Sequence, residues 1–100
     1  MKSAPAFVST PTFEALLAYV HCSLCQREKL DPEQTPLKQS VVRRSGRVCG
    51  LFFQVEGPRL LRGYAIWASD ENRILFYDSA GERTAEVHLS EAPDPTRLAA

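Results

Sequence analysis

The chain has 100 residues, 44% of them hydrophobic, and its twelve basic and twelve acidic residues give a formal net charge of zero. This length is typical of one globular domain, and a neutral chain lacks the general attraction to nucleic acid or anionic membranes that a basic protein has. No stretch approaches the ~18 consecutive apolar residues of a membrane span, and three cysteines is an odd, low number for a disulfide-stabilised secreted protein. We therefore predict a single cytoplasmic domain spanning residues 1–100.

The two ends of the chain are predicted to be flexible tails, at residues 1–9 and 91–100. The first tail has small residues and little periodicity, and only Phe7 and Val8 are apolar enough to dock. In the second tail, Pro93 and Pro95 stop any strand. The first tail also lacks the continuous apolar region of a signal peptide.

A helix is predicted from Thr10 to about Lys29. Thr10 would be its N-cap and Pro11 its first residue, where a missing N–H costs nothing. Apolar residues recur at three-and-four spacing and form one stripe, as a helix lying on a sheet requires. They are Phe13, Leu16, Leu17, Val20 and Leu24.

Four turn signals divide residues 38 to 90 into five short apolar stretches. The signals are Arg44-Ser45-Gly46, Glu56-Gly57-Pro58-Arg59, Ser69-Asp70-Glu71-Asn72 and Asp78-Ser79-Ala80-Gly81. This spacing predicts a five-stranded antiparallel β-meander. The predicted fold class is therefore α+β, with one helix packed on the meander in two layers. Several unrelated families share that architecture, cystatin-like folds among them, so the architecture alone does not identify a function.

Turn lengths also predict which residues share a face of the sheet. A two-residue turn at Gly57-Pro58 sets Leu51 opposite Tyr64 and Cys49 opposite Ile66. The face predicted to lie under the helix then contains Val41, Cys49, Leu51, Phe53, Val55, Leu60, Tyr64, Ile66, Leu75, Tyr77, Ala85, Val87 and Leu89.

The opposite face is also apolar in its middle, and one helix cannot cover both faces. A patch of several apolar side chains is larger than soluble monomers normally expose. We therefore predict a partner-binding surface, used for homodimerisation or for docking a protein partner, made of Val48, Phe52, Leu61, Trp67, Ile74 and Phe76. The alternatives are a small apolar ligand on this face, a tail folded over it, a one-residue slip in the register, or an enzyme site completed in an oligomer.

The only motif-like string for metal or redox chemistry is His21-Cys22-Ser23-Leu24-Cys25. Two cysteines at this spacing are half of a zinc site, but no second closely spaced pair of ligands follows. Helical spacing predicts that Cys22 and Cys25 face outward, whereas Cys49 points into the core. We therefore predict no metal and no cofactor, and we favour a protein that is not an enzyme.

A nucleic-acid surface is the remaining class to weigh. Six basic residues lie between Lys38 and Arg62 against Glu56 alone. The predicted register places Phe52, Trp67 and Phe76 on one face near the basic Arg43, Arg44 and Arg47, as in sheets that stack RNA bases. However, the βαββαβ order of the common RNA-recognition module is absent. We interpret the charges as solvated strand ends and do not expect nucleic acid as a partner.

Overall fold

The computed structural model describes residues 6–58 and 61–99. Its elements are β1 (Ala6–Ser9), α1 (Phe13–Glu28), β2 (Lys38–Arg44), β3 (Arg47–Glu56), β4 (Arg62–Ala68), β5 (Arg73–Tyr77), β6 (Arg83–Glu91) and a 3-10 turn (Pro95–Ala99). One helix packs against one open sheet, which confirms the α+β class. In the segments that the structure describes, no helix has the length and apolarity needed to cross a membrane.

The sheet has six strands in the order β1-β6-β5-β4-β3-β2. Strands β2 to β6 form the antiparallel meander, and β1 adds to β6 in parallel. The prediction of five antiparallel strands is therefore one strand short. Residues 6–9 were predicted to belong to a tail, but Val8 pairs with Leu89 and packs against the core. The predicted tail residues 1–5 and residue 100 lie outside the described residues.

Helix α1 begins two residues later than predicted. The Thr12 side chain, with extended backbone at ψ 161°, accepts a hydrogen bond from the Ala15 N–H at 3.1 Å and is the N-cap. Thr10, the predicted cap, is buried instead, and its N–H donates to the Glu91 carbonyl at 2.9 Å. The helix ends at Glu28, close to the predicted end, and Lys29 closes the last turn in a left-handed conformation at φ 58°.

The core lies between α1 and the sheet face formed by β3 to β6. The helix buries Leu16, Val20, Leu24 and Cys25. Their partners in the sheet are Leu51, Phe53, Val55, Ala65, Trp67, Ile74, Phe76, Val87 and Leu89. Gly63 lets the helix approach closely, because a Cβ at this position would lie 3.0 Å from the Glu28 Cγ.

The connection between β3 and β4 is longer than predicted, and this reverses the faces of two strands. Glu56 pairs with Arg62 rather than Arg59, so the register moves by three residues. An odd shift exchanges the two faces of a strand. The register between β4 and β5 was predicted correctly, with Ile66 opposite Leu75, so β5 turns over together with β4.

A β-bulge between β5 and β6 restores the predicted faces of the last strand. Phe76 pairs with Ala85 and Tyr77 with Arg83, so Thr84 is an additional residue on β6. Val87 and Leu89 therefore point under the helix, as predicted.

The predicted helix-covered face is consequently wrong for Tyr64, Ile66, Leu75 and Tyr77, which lie on the other side of the sheet. It is also wrong for Cys49, which is the additional residue of a bulge in β3 and is half-buried. Val41 stays exposed at 37%, because β2 lies beyond the edge of the helix. Leu60 lies outside the described residues.

Candidate functional site

The face of the sheet that points away from α1 carries an apolar cluster at its centre. Alternation along the strands places neighbours of the core residues on this face. We call Phe52, Tyr64, Ile66, Leu75 and Tyr77 the open-face cluster. Four of them are half-buried and Leu75 is 9% exposed, because the five side chains pack against one another. No helix of the described residues lies above them.

Aromatic packing organises the middle of the open-face cluster. The rings of Phe52 and Tyr64 lie 5.8 Å apart between centroids and are tilted by 34°. Together with Ile66, Tyr77 and Gly81, these two rings line a shallow apolar depression of about 300 Å³. The face is therefore concave enough to receive an apolar side chain, but it is not an enclosed cavity.

A charged group borders the open-face cluster where β3 ends and β4 begins. Glu56 lies between two cations, with Lys38 Nζ at 3.6 Å and Arg62 Nη2 at 3.3 Å. The hydroxyl of Ser79 receives a hydrogen bond from the Arg62 N–H at 3.0 Å and donates one to the Arg62 carbonyl at 2.8 Å. These contacts hold the cations at the border of the face.

A second charged group borders the cluster on the β5–β6 side. Arg73 contacts Glu71 and donates to Glu86 Oε2 at 2.7 Å, and His88 Nε2 lies 3.4 Å from the same oxygen. The hydrogen bond from Arg73 lowers the pKa of the Glu86 carboxyl, with smaller help from the charges of His88 and Arg83. The border of the face is thus made of charges that already neutralise one another.

The six residues predicted to bind a partner do not lie together. Phe52 belongs to the open-face cluster. Trp67, Ile74 and Phe76 are 0% exposed in the core beneath α1, so their predicted position on the uncovered face is wrong. Val48 is half-buried near the start of β3, and Leu61 is half-buried in the connection just before β4. Whether any of the six binds a partner stays a prediction.

The residues that the prediction missed are the other four members of the open-face cluster. Their alternation with Trp67, Ile74 and Phe76 is visible in the sequence, because both faces of β4 and β5 are apolar. A two-sided apolar pattern does not say which side the helix covers. Only the length of the β3–β4 connection decides this.

The three cysteines differ in burial. Cys22 is exposed, Cys49 is half-buried and Cys25 is fully buried, so the prediction that Cys25 faces outward is wrong. Burial raises the pKa of the Cys25 thiol, which disfavours the reactive thiolate. Within residues 6–58 and 61–99, no group of three or more His, Cys, Asp or Glu side chains is arranged to hold a metal ion.

His21 has a structural contact. Its Nε2 lies 2.6 Å from the carbonyl oxygen of the buried Thr35, so in the tautomer that donates from Nε2 it ties α1 to the connector. In that tautomer Nδ1 is the ring nitrogen left to accept a hydrogen bond.

Comparisons of this chain with protein-family models, with curated proteins and with solved structures found no match.

Proposed function

We propose that this protein is a non-catalytic interaction module that forms a homodimer by packing the open faces of two copies together. The observation that carries the proposal is the open-face cluster. Five apolar side chains occupy the centre of a sheet face that no helix covers in the described residues, while the other face has a complete core. Two sheets that pack in this way bury their apolar centres and form a sandwich.

The size of the face suits a dimer. Six strands spaced about 4.8 Å apart, with about seven residues each on average that rise about 3.3 Å per residue, give a face of roughly 650 Å². Stable interfaces bury about 600–1,000 Å² on each partner. The whole face is therefore at the lower end of the area that a stable dimer needs.

The charges also favour a second copy over a strongly charged partner. Both borders of the face contain acids and bases in contact, Glu56 with Arg62 and Glu86 with Arg73. A border of mixed, paired charges attracts neither a basic nor an acidic partner over long range. The same pattern does not repel an identical chain, whose formal net charge is zero.

A small apolar ligand is the second candidate, supported by the depression between Phe52 and Tyr77. Its volume of about 300 Å³ is at the lower end for ligand pockets, which span about 300–1,000 Å³. Because the depression is shallow, a ligand there would leave much of its surface in water. Homodimerisation covers the cluster more completely.

The experiment is sedimentation equilibrium on the wild type and on Ile66→Arg. We expect the wild type to sediment with twice the 11.2 kDa chain mass. Ile66→Arg places a charge in the centre of the interface but can extend into water in the monomer, so it should sediment as a folded monomer with an unchanged circular dichroism spectrum. Ala18→Arg, on the exposed side of α1, is the matched control and should remain a dimer.

A monomeric wild type would contradict the proposal, and so would an Ile66→Arg protein that is still a dimer. A monomer whose Tyr64 and Tyr77 signals shift when an apolar compound is added would support the ligand candidate instead.

A further inference from the structure

Strand β2 forms an exposed edge of the sheet. It pairs with β3 on one side and ends the strand order on the other. All of its residues except Val42 are exposed, because α1 packs on β3 and β4. The outward N–H and C=O groups of such an edge have no partner strand and can pair with another extended chain.

Basic side chains surround the end of this edge. Ser45 at φ 53° and Gly46 at φ 80° form a two-residue hairpin turn, which places Arg44 directly opposite Arg47. Like charges directly opposite one another destabilise a sheet. In the part of the chain that the structure describes, Arg43, Arg44 and Arg47 take part in no ion pair.

A depression of about 270 Å³ lies beside the turn. Arg44 and Arg47 line it together with Ser45, Val48, Cys49 and Asp70. Asp70 is its single acidic residue against two arginines, so the depression is positively charged overall. It therefore offers a net positive environment to a carboxylate near the turn at the end of β2.

A second copy is a poor occupant for this edge. Antiparallel pairing of two β2 strands about Val41 would place Lys38 of each copy opposite Arg44 of the other. These two like-charge contacts oppose the gain in backbone hydrogen bonds. The same charges would favour a chain that carries carboxylates at these positions.

We propose that β2 binds an extended acidic segment of a partner protein as a seventh strand. The bulge between Val42 and Arg43 leaves residues 38–42 in regular pairing geometry, so the segment would pair over about five residues, or about 17 Å. Carboxylates at one end of the segment would face Arg43 and Arg44. The exposed side chain of Val41 offers an apolar contact in the middle of the strand.

Charged side chains on an edge strand also prevent aggregation. That role alone gives no affinity for an acidic peptide, so the two explanations predict different results. The proposal is independent of the homodimer, because β2 is at the edge of the sheet and the dimer is formed through its face.

The test uses the full chain and a capped, fluorescently labelled peptide in which two adjacent Glu residues end an alternating Thr and Val stretch, so that one carboxylate lies on each face of the added strand. Binding is followed by fluorescence anisotropy, and amide hydrogen exchange locates the site. We expect binding that weakens as salt is added, slower exchange of β2 amides, and no binding of the same peptide with Lys in place of Glu. The double variant Arg43→Gln/Arg44→Gln should bind the acidic peptide about two- to thirtyfold more weakly, as expected for two lost opposite-charge pairs.

Arg83→Gln is the matched control, since it removes an exposed arginine from β6, at the far side of the sheet from β2. It should bind the peptide like the wild type. The proposal is overturned if the acidic peptide does not bind or if it binds the double variant equally well. Absence of exchange protection in β2 would also overturn it.

Discussion

The two faces of the sheet formed by β3, β4 and β5 are similarly apolar, but α1 packs on only one of them. On one face, Phe53, Ala65 and Phe76 form a cross-strand row that is 0% exposed beneath the helix. On the other, Phe52, Ile66 and Leu75 form an equally apolar row, and no helix within residues 6–58 and 61–99 lies above it. The two faces of these strands are therefore similarly apolar, and α1 covers one of them.

The helix-covered face is completed by specific aromatic contacts. Phe13 meets Trp67 edge-on, with ring centroids 6.1 Å apart and planes inclined at 77°. The Arg27 guanidinium lies 4.6 Å from the centre of the Phe76 ring, a cation–π contact. On the open face the corresponding polar groups surround the apolar cluster instead of lying over it. That arrangement is typical of an interface, which has an apolar centre and a polar border.

The strongest test of this comparison uses two adjacent phenylalanines that point to opposite faces. Phe53→Ala leaves a cavity in the core and should lower the free energy of unfolding by about 3–5 kcal/mol. Phe52→Ala removes a half-buried ring and should cost about 1–2 kcal/mol in the monomer. Both are measured by urea denaturation in the Ile66→Arg background, so that dimerisation does not contribute.

Equal losses for the two variants would contradict the assignment of the faces. A larger loss for Phe52→Ala would show that the helix covers the other side of β3. If Phe53→Ala proves too unstable to purify, Phe53→Leu gives a smaller loss in the same direction.

The predicted order of elements from α1 to β6 is correct, because the signals that define it are local. The helix has a three-and-four apolar spacing, and each strand is bounded by turn residues. The β4–β5 register was correct for the same reason: the turn from Ser69 to Asn72 closes within four residues, and Asn72 has the left-handed φ of 49° that this residue tolerates.

The faces could not be predicted because two irregularities decide them. One is the connection after Glu56, which is three residues longer than the Gly-Pro turn signal suggests. The other is the bulge at Thr84, which reverses the alternation once more. The longer connection leaves no clear signal in β4, which is apolar on both sides, so Trp67 was assigned to the uncovered face although it lies in the core. Strand β1 was missed because its pairing with β6 spans almost the whole chain.

The stability that the charged residues bordering the open face contribute should fall at acid pH. The pKa of Glu86 is lowered in the folded state, chiefly by the hydrogen bond from Arg73. A lowered folded-state pKa stabilises the protein above the unfolded value, about 4.3–4.5, and this stability is lost as the pH falls through the folded value. The wild type should therefore lose more stability than Glu86→Gln between neutral pH and about pH 3.

The measurement is the urea midpoint of both proteins in the Ile66→Arg background at several pH values. Glu33→Gln is the control, since it removes an exposed carboxylate from the connector, and it should follow the wild type. Parallel curves for the wild type and Glu86→Gln would show that the contacts of Arg73 do not persist in solution.

The smallest expected effect is a difference between Cys22 and Cys25, which lie one helical turn apart, in the pH dependence of stability and in thiol reactivity. Cys25 is buried on the side of α1 that faces the core, whereas Cys22 is exposed. The pKa of the Cys25 thiol is raised, first by burial and then by the charges of Cys22 and Asp31. A raised folded-state pKa stabilises the protein below the unfolded value, about 8.5, and this stability is lost as the pH rises through the folded value. The unfolding midpoint should therefore fall less between pH 8 and about pH 10 in Cys25→Ala than in Cys22→Ala.

A thiol reagent should modify Cys22 in the native state and reach Cys25 only when the helix opens, because the thiolate must be exposed to react. Equal labelling rates for the two thiols would mean that α1 does not stay closed over this face, and the contrast between a covered and an open side of the sheet would no longer hold.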